Sequence, residues 1–157
     1  MDYEEYGDDV LGSFDYVVAS VHSGFGQSES EQTERVQRAL GNPHVTFLGH
    51  PTGRLLLSRE GIRLDVRAVI EEAARQGAGI EINANPRRLE LDWRWWPLAR
   101  SLGVRTAINP DAHAPGGLGD VMYGVGVARK GGLTAADVVN AWGADEVGEY
   151  FARRKRG

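Results

Sequence analysis

The sequence predicts an α/β protein with mainly parallel strands, arranged either as a barrel or as an open sheet. Short apolar runs rich in β-branched residues recur along the chain. Segments with a helical spacing of apolar residues separate these runs. Strands that alternate with helices in this way usually pair in parallel through right-handed crossovers. With 157 residues and no obvious linker or internal repeat, the chain is expected to form a single domain.

The strand candidates are short segments in which apolar residues dominate. They cover residues 16–21, 45–49, 79–83 and 104–108. Such runs are typical of strands that are buried on both faces of a parallel sheet. We therefore expect these segments to form the centre of the molecule.

Four helix candidates follow, each with its own boundary signals. The first begins at Ser28, which opens a capping-box pattern, and ends near residue 41. The second is the clearest, because Asp65 can cap its start and Gly77 can close its end. The third covers about 92–102, where Pro97 should kink the helix or delay its start. The fourth begins after Thr134 and ends near residue 143.

The composition excludes several classes of protein. The chain has no Cys, so it has no disulfides, thiolate nucleophiles or iron–sulfur clusters, and any metal must be bound by His, Asp or Glu. A net charge of −4 argues against the strongly basic face of a sequence-specific duplex-DNA binder. No apolar run approaches the roughly 20 residues of a membrane span. We expect a cytoplasmic protein without a membrane partner, with flexible ends at residues 1–12 and 150–157.

Three of the four histidines follow strand candidates, and this pattern is the main functional signal. His22 and His50 come directly after the first two strands, and His113 follows Asp111 after the fourth. The carboxyl ends of parallel strands gather at one edge of the sheet, where ligands converge. Three imidazoles and a carboxylate suit Zn²⁺, Mn²⁺ or Fe²⁺. A single histidine after a strand is usually an ordinary loop residue, but three such placements favour a shared metal site.

Other polar residues near the strand ends allow two interpretations each. Glu81 lies inside a strand and points either into a polar interior or to solvent. Asn83 and Asn85 either orient ligands or a substrate phosphate, or serve the turn before Pro86. Arg54 either binds a phosphate or is a surface charge. We treat Arg54, Asn83 and Asn85 as candidate substrate-binding residues.

Several segments resemble a known family. They are residues 17–23 (VVASVHS), 48–54 (LGHPTGR), 81–86 (EINANP), 109–113 (NPDAH) and 123–126 (YGVG). In this order and spacing they are similar to the later motifs of the polymerase and histidinol phosphatase (PHP) family. Within it they are most similar to the PHP domain at the C-terminus of bacterial family X DNA polymerases. The resemblance covers nearly the whole chain, from about residue 14 to residue 142.

The resemblance implies a fold, a cofactor and an activity. The fold is a distorted (β/α)7 barrel, and the cofactor is a multinuclear centre of Mn²⁺ or Zn²⁺. The activity is phosphoester hydrolysis, which in the polymerase branch means 3′–5′ exonuclease action and other processing of DNA 3′ ends in repair. The resemblance assigns metal-ligand roles to His22, His50, Asp111 and His113. It identifies no catalytic residue beyond these ligands.

The chain departs from the family pattern at its beginning. The family has a His-x-His motif and further His and carboxylate ligands upstream, whereas His22 is the first histidine here. Pro110 also replaces the usual Thr before Asp111. We therefore expect a partial PHP domain, an incomplete distorted barrel whose partners are the missing N-terminal part and a polymerase domain. Four ligands can hold one ion but not two or three, so we expect the complete domain to be the active phosphoesterase.

Two alternatives come from other functional classes. The metal motifs alone do not choose the substrate, so the parent protein can also be a small-molecule phosphatase of the histidinol-phosphatase type. The chain can also be a non-catalytic module that binds metal or DNA ends.

Overall fold

Short parallel strands with helices packed against them organise the protein. The computed structural model describes residues 6–156. The strands are β1 (Val17–Ala19), β2 (Val45–Leu48), β3 (Gly79–Ile80), β4 (Ile82–Asn83) and β5 (Ile108–Asn109). The helices are α1 (Asp8–Gly12), α2 (Glu29–Gly41), α3 (Val66–Gln76), α4 (Trp96–Ser101), α5 (Val121–Lys130) and α6 (Ala144–Arg156). This confirms the predicted mixed α/β class.

All strand pairings between these elements are parallel. One sheet has the order β1-β2-β3, and β4 pairs with β5. Glu81 joins the two parts, because its backbone N–H donates to the carbonyl of Leu48 at 2.9 Å. The N–H of Ile82 donates to the carbonyl of Ala107 on the other side, also at 2.9 Å. Within residues 6–156 the strands form an open arrangement and no closed barrel.

The two best-signalled helices begin and end as predicted. Ser28 and Glu31 form a complete capping box at the start of α2. The Asp65 side chain accepts a hydrogen bond from the N–H of Ala68 at the start of α3. Gly77 ends α3 with a left-handed φ of 67°, which costs glycine little. Both predicted helices are therefore confirmed.

The prediction of a fourth helix after Thr134 is wrong. The segment forms two short 3-10 helices, Ala135–Asp137 and Val139–Ala141, instead of one α-helix. Its middle extends the sheet, because Thr106 forms a parallel bridge with Val138 and accepts a hydrogen bond from the N–H of Val139 at 2.7 Å. Pairing with the sheet thus replaces helical hydrogen bonds in this segment.

Helix α5 was not predicted, because its glycines lower the helix propensity of the sequence. The structure explains one of them. A Cβ at Gly124 would lie 2.4 Å from Cγ2 of Ile108 and 2.8 Å from Cβ of Ala84. Gly124 therefore lets α5 pack directly on the carboxyl ends of β4 and β5.

Two apolar clusters cover the two faces of the sheet. The larger lies between the sheet and helices α2 to α5, and includes Leu40, Ile70, Ile80 and Trp96. On the other face, Phe47 and Ala107 pack with residues of α6 such as Phe151. The carboxyl edge of the sheet, where the candidate residues lie, is thus supported by packing on both faces.

The expected flexible ends are only partly described. Residues 1–5 and 157 lie outside the described part of the chain, whereas residues 8–12 belong to α1 and residues 144–156 to α6. Arg154 holds α6 in place, since its buried guanidinium donates to the carbonyls of Leu40, Asn42 and Val45 at 2.6, 2.8 and 2.9 Å.

None of the helices in the described part is long and apolar enough to cross a membrane. A cytoplasmic location stays a prediction.

We expect Arg154→Ala to lower the free energy of unfolding by about 2–4 kcal/mol, because three buried carbonyls lose a charged donor. Urea unfolding followed by circular dichroism measures this. The neighbouring Arg153 is exposed, and Arg153→Ala should change the free energy by less than about 0.5 kcal/mol. Equal effects of the two substitutions would contradict the anchoring role of Arg154.

Candidate functional site

The four candidate metal ligands follow strands whose carboxyl ends share one edge. His22 comes after β1, His50 after β2, and Asp111 and His113 after β5. Because all the pairings are parallel, these loops leave the sheet in the same direction. The structure thus places the four residues in loops at the same edge.

Two of these residues meet directly. The Nε2 atoms of His22 and His50 lie 3.2 Å apart, and the ring centroids are 5.0 Å apart. His50 is buried, with 7% of its surface exposed, whereas His22 is exposed. Two nitrogens bound to one tetrahedral Zn²⁺ at about 2.0–2.1 Å would lie about 3.3 Å apart. This pair therefore fits two donors of a single divalent ion.

Asp111 and His113 make other contacts. The Asp111 carboxylate accepts a hydrogen bond from Nε of Arg88 at 3.0 Å. Nδ1 of the exposed His113 lies 2.8 Å from the backbone carbonyl of Asp111. Among residues 6–156 no three His, Asp or Glu side chains form a group that could hold a metal ion. The structure therefore supplies a close imidazole pair with a carboxylate nearby, and not a complete set of ligands.

The backbone is unusual at two of the candidate residues. His50 has a φ of 28° and Asp111 a φ of 51°. A positive φ is uncommon for residues other than glycine and costs of order 1–3 kcal/mol. Such strain concentrates at functional sites, where the surrounding structure maintains it. Leu57 and Leu89 also have a positive φ, of 63° and 47°, so this feature accompanies the candidate residues without distinguishing them.

Glu81 holds the strained turn at His50. The side chain is buried, with 5% of the residue surface exposed, so it faces the interior and not solvent. Its Oε2 accepts hydrogen bonds from the His50 N–H at 2.8 Å and from Nδ2 of Asn83 at 3.2 Å. Its Oε1 accepts from Nδ2 of Asn109 at 3.0 Å. Burial raises the pKa of this carboxyl, while the three donors act against that rise.

His50 is held in the neutral form that metal ligation requires. Burial, together with the positive charge of Arg88, lowers the pKa of His50 to about 4. Asp111 acts in the opposite direction but more weakly. At neutral pH the His50 imidazole is therefore uncharged, and one of its two ring nitrogens is an acceptor.

We expect the low pKa of His50 to make folding stability pH-dependent. The unfolded imidazole gains a proton below about pH 6.5, whereas folded His50 does so only near pH 4. The contribution is thus complete above pH 6.5 and should decrease by about 2 kcal/mol between pH 7.5 and pH 5. Urea unfolding in EDTA, compared with His50→Gln, measures it. Parallel pH dependences of the two proteins would contradict the shifted pKa.

The three candidate substrate-binding residues have internal partners. Nδ2 of Asn83 donates to Glu81, and its Oδ1 accepts from the N–H of Asn85 at 3.1 Å. Asn85 in turn accepts from the N–H of Arg87 at 2.9 Å, as expected of a turn before Pro86. Arg54 donates to the backbone carbonyls of Arg88 and Leu89. Substrate contact by these residues stays a prediction.

Two charged residues at this edge were not predicted. Arg88 contacts Asp111, and Glu90 is almost fully buried beside it, with 1% of its surface exposed. Oε2 of Glu90 accepts from the N–H and hydroxyl of Thr52 at 2.8 and 2.6 Å. No motif in the sequence distinguishes Arg88 from the many other arginines, so only the fold reveals it.

Comparison with known proteins identifies relatives. No family model matches the chain. The chain is 42% identical over 150 residues to the DNA polymerase/3'-5' exonuclease PolX of Bacillus subtilis (strain 168). It is 26% identical over 156 residues to a probable phosphatase of Thermoanaerobacter sp. (strain X514). A probable phosphatase of Caldanaerobacter subterraneus subsp. tengcongensis is 27% identical over 158 residues.

The alignments cover nearly all of this chain but only part of each relative. They include 96% of the chain and 26% of the Bacillus protein. The alignments with the two probable phosphatases include 94% of the chain, together with 61% of the Thermoanaerobacter protein and 59% of the Caldanaerobacter protein. A polymerase/exonuclease and phosphatases are the two kinds of protein that the motifs around His22, His50, Asp111 and His113 indicate. The chain is thus similar over nearly its whole length to proteins of both kinds that occur in the polymerase and histidinol phosphatase (PHP) family.

Proposed function

We propose that this chain is part of a metal-dependent phosphoesterase domain that removes nucleotides from DNA 3′ ends. In this proposal residues 6–156 form part of a distorted (β/α)7 barrel. The rest of the domain supplies further ligands for Mn²⁺ or Zn²⁺, and a polymerase domain accompanies it. The metal ligands from this chain are His22, His50, Asp111 and His113.

The imidazole pair is the observation that carries the proposal. Nε2 atoms 3.2 Å apart suit two ligands of one ion. Their loops follow neighbouring parallel strands, which is where α/β proteins place their sites. The similarity to these relatives adds a second support, since PHP phosphoesterases use divalent metals.

The chemistry divides between the ion and the protein. When bound, a divalent ion supplies a Lewis acid for a phosphoryl oxygen. The protein keeps His50 neutral through burial, and the Glu81 carboxylate fixes the backbone that carries it. Asp111 has a strained backbone, and its carboxylate can supply an anionic oxygen ligand once its hydrogen bond to Arg88 is broken.

We propose DNA as the substrate because the relative with the higher sequence identity is named as a DNA polymerase/3'-5' exonuclease. At 42% identity over nearly the whole chain, the Bacillus protein named as a 3'-5' exonuclease resembles this chain more than the phosphatases at 26–27% do. The Bacillus protein also places the aligned segment within a much longer polymerase chain.

A chimera tests the proposal. The aligned segment of the Bacillus protein is replaced by this chain, and the chimera is incubated with Mn²⁺ and a 5′-labelled single-stranded oligonucleotide with a free 3′ end. We expect stepwise shortening from the 3′ end that EDTA stops. The 157-residue chain alone should be at least about 10³-fold slower, because its described residues hold no group of three metal donors.

The second candidate is a small-molecule phosphatase, which the identity to the probable phosphatases favours. Histidinol phosphate and p-nitrophenyl phosphate, assayed with the same chimera, separate the two. Hydrolysis of these monoesters without shortening of the oligonucleotide would select the phosphatase. Metal binding without hydrolysis of any substrate would select a non-catalytic module.

A further inference from the structure

The Asp111 carboxylate is already occupied by a positive charge from the same chain. Nε of Arg88 lies 3.0 Å from Oδ2 of Asp111. The Arg88 side chain is 16% exposed and that of Asp111 is 24% exposed. An ion pair this sheltered is screened less by solvent than one on the surface. The bond is also charge-assisted, which makes it stronger than an ordinary hydrogen bond.

The loop that carries Arg88 is fixed independently of Asp111. Arg54 donates from Nε to the carbonyl of Arg88 at 2.8 Å and from Nη2 to the carbonyl of Leu89. Glu90, next in the loop, is held by the N–H and hydroxyl of Thr52. The guanidinium of Arg88 is therefore presented to Asp111 by a braced backbone and is not a mobile surface charge.

The guanidinium is not fully satisfied in this position. Its Nη1 is buried without a hydrogen-bond partner, and so is Oε1 of Glu90, 4.0 Å away. Burying an unpaired polar atom costs roughly 1–3 kcal/mol. A second arrangement, in which Arg88 leaves Asp111 and bonds Glu90, would give both of these atoms a partner.

We propose that Arg88 is a positioning residue that holds the Asp111 carboxylate and competes with the divalent ion for it. An arginine stays charged at all physiological pH values, so the competition does not switch off. Metal ligation by Asp111 requires the Arg88 bond to break, and Glu90 receives the displaced guanidinium. The inference rests on the metal site of the proposed function, and it adds that this site is tuned to a lower affinity by a residue outside the ligand set.

Calorimetric titration of the 157-residue chain with MnCl₂ at pH 7.5 tests the competition. Arg88→Ala should tighten Mn²⁺ binding about tenfold, because the ion no longer displaces a charge-assisted hydrogen bond. Arg88→Lys restores the charge and should return the affinity most of the way to that of the wild type. Arg87 is the adjacent exposed arginine, and Arg87→Ala is the matched control with unchanged affinity.

A second background separates competition from a general structural effect. In Asp111→Asn, which has no carboxylate to release, adding Arg88→Ala should tighten Mn²⁺ binding by much less than tenfold, because only the repulsion between the Arg88 charge and the ion is removed. If Arg88→Ala unfolds the chain, Arg88→Gln removes the charge while keeping a donor and should tighten binding by a smaller factor. Unchanged or weaker binding after removal of the Arg88 charge overturns the inference and leaves the proposed function standing. A wild-type chain that binds no Mn²⁺ overturns the inference, whereas the proposed function, in which the rest of the domain supplies further ligands, is tested by the chimera.

Discussion

In the chimera that carries this chain, His50→Ala should lower the rate of oligonucleotide shortening by about 10³-fold or more. His50 combines three properties that few residues share. It is buried and neutral, with a pKa lowered to about 4, its Nε2 faces that of His22 at 3.2 Å, and its backbone is strained at a φ of 28°. Alanine removes the nitrogen donor without leaving a polar group to replace it.

The measurement should separate turnover from binding. Because His50 holds the ion that acts on the phosphate in this proposal, the loss should appear in kcat, while DNA binding in EDTA changes little. His44 is the matched control, since it lies at the other end of β2, in the turn before Val45. His44→Ala should keep the rate within about threefold. A similar loss from both substitutions would show that the effect comes from folding.

The imidazole pair could be predicted because it depends on strand order and direction alone. The apolar runs before His22 and His50 identify two strands, and the helix between them makes parallel pairing the expected arrangement. The observed pairing of β1 with β2 then brings the two loops together. Residues that directly follow neighbouring parallel strands have little freedom to separate.

His113 shows the limit of the same rule. It also follows a strand, but the left-handed backbone at Asp111 turns the chain before His113 is reached, and its ring meets the carbonyl of Asp111. Asp, Asn and His adopt a positive φ more often than other residues, but the sequence does not show which of them do so. The rule therefore places the loop at the correct edge and does not predict the direction of each side chain.

Arg88 was missed for a different reason. Its contact with Asp111 joins residues 23 positions apart in sequence and depends on a loop that Arg54 braces through two backbone carbonyls. The sequence suggests Arg54 as a phosphate ligand because arginines bind phosphates well, yet the same donors also suit carbonyl groups. Residue type indicates which chemistry is possible, and only the fold decides which partner is present.

The sequence does not decide whether Glu81 faces the interior or solvent, and in the structure this residue has the second large expected effect. Glu81→Ala should lower the free energy of unfolding by about 3–5 kcal/mol, since three donors lose their acceptor in a buried site and a cavity remains. The donors are the His50 N–H, Nδ2 of Asn83 and Nδ2 of Asn109. They come from the ends of three strands, so one carboxylate fixes the edge on which the candidate site is built. Urea unfolding at pH 7.5 measures the change.

Two further variants make the result specific. Glu81→Gln keeps one oxygen acceptor but places an NH₂ group, which is a donor, against other hydrogen-bond donors. We therefore expect it to lower the free energy of unfolding by about half as much as Glu81→Ala. Glu71 lies on the exposed face of α3, where its contact with Arg67 at 3.8 Å is solvated. Glu71→Ala should therefore change stability by less than about 0.5 kcal/mol. If Glu81→Ala were as mild as Glu71→Ala, the carboxylate would not hold the strand ends, and the strained turn at His50 would need another support.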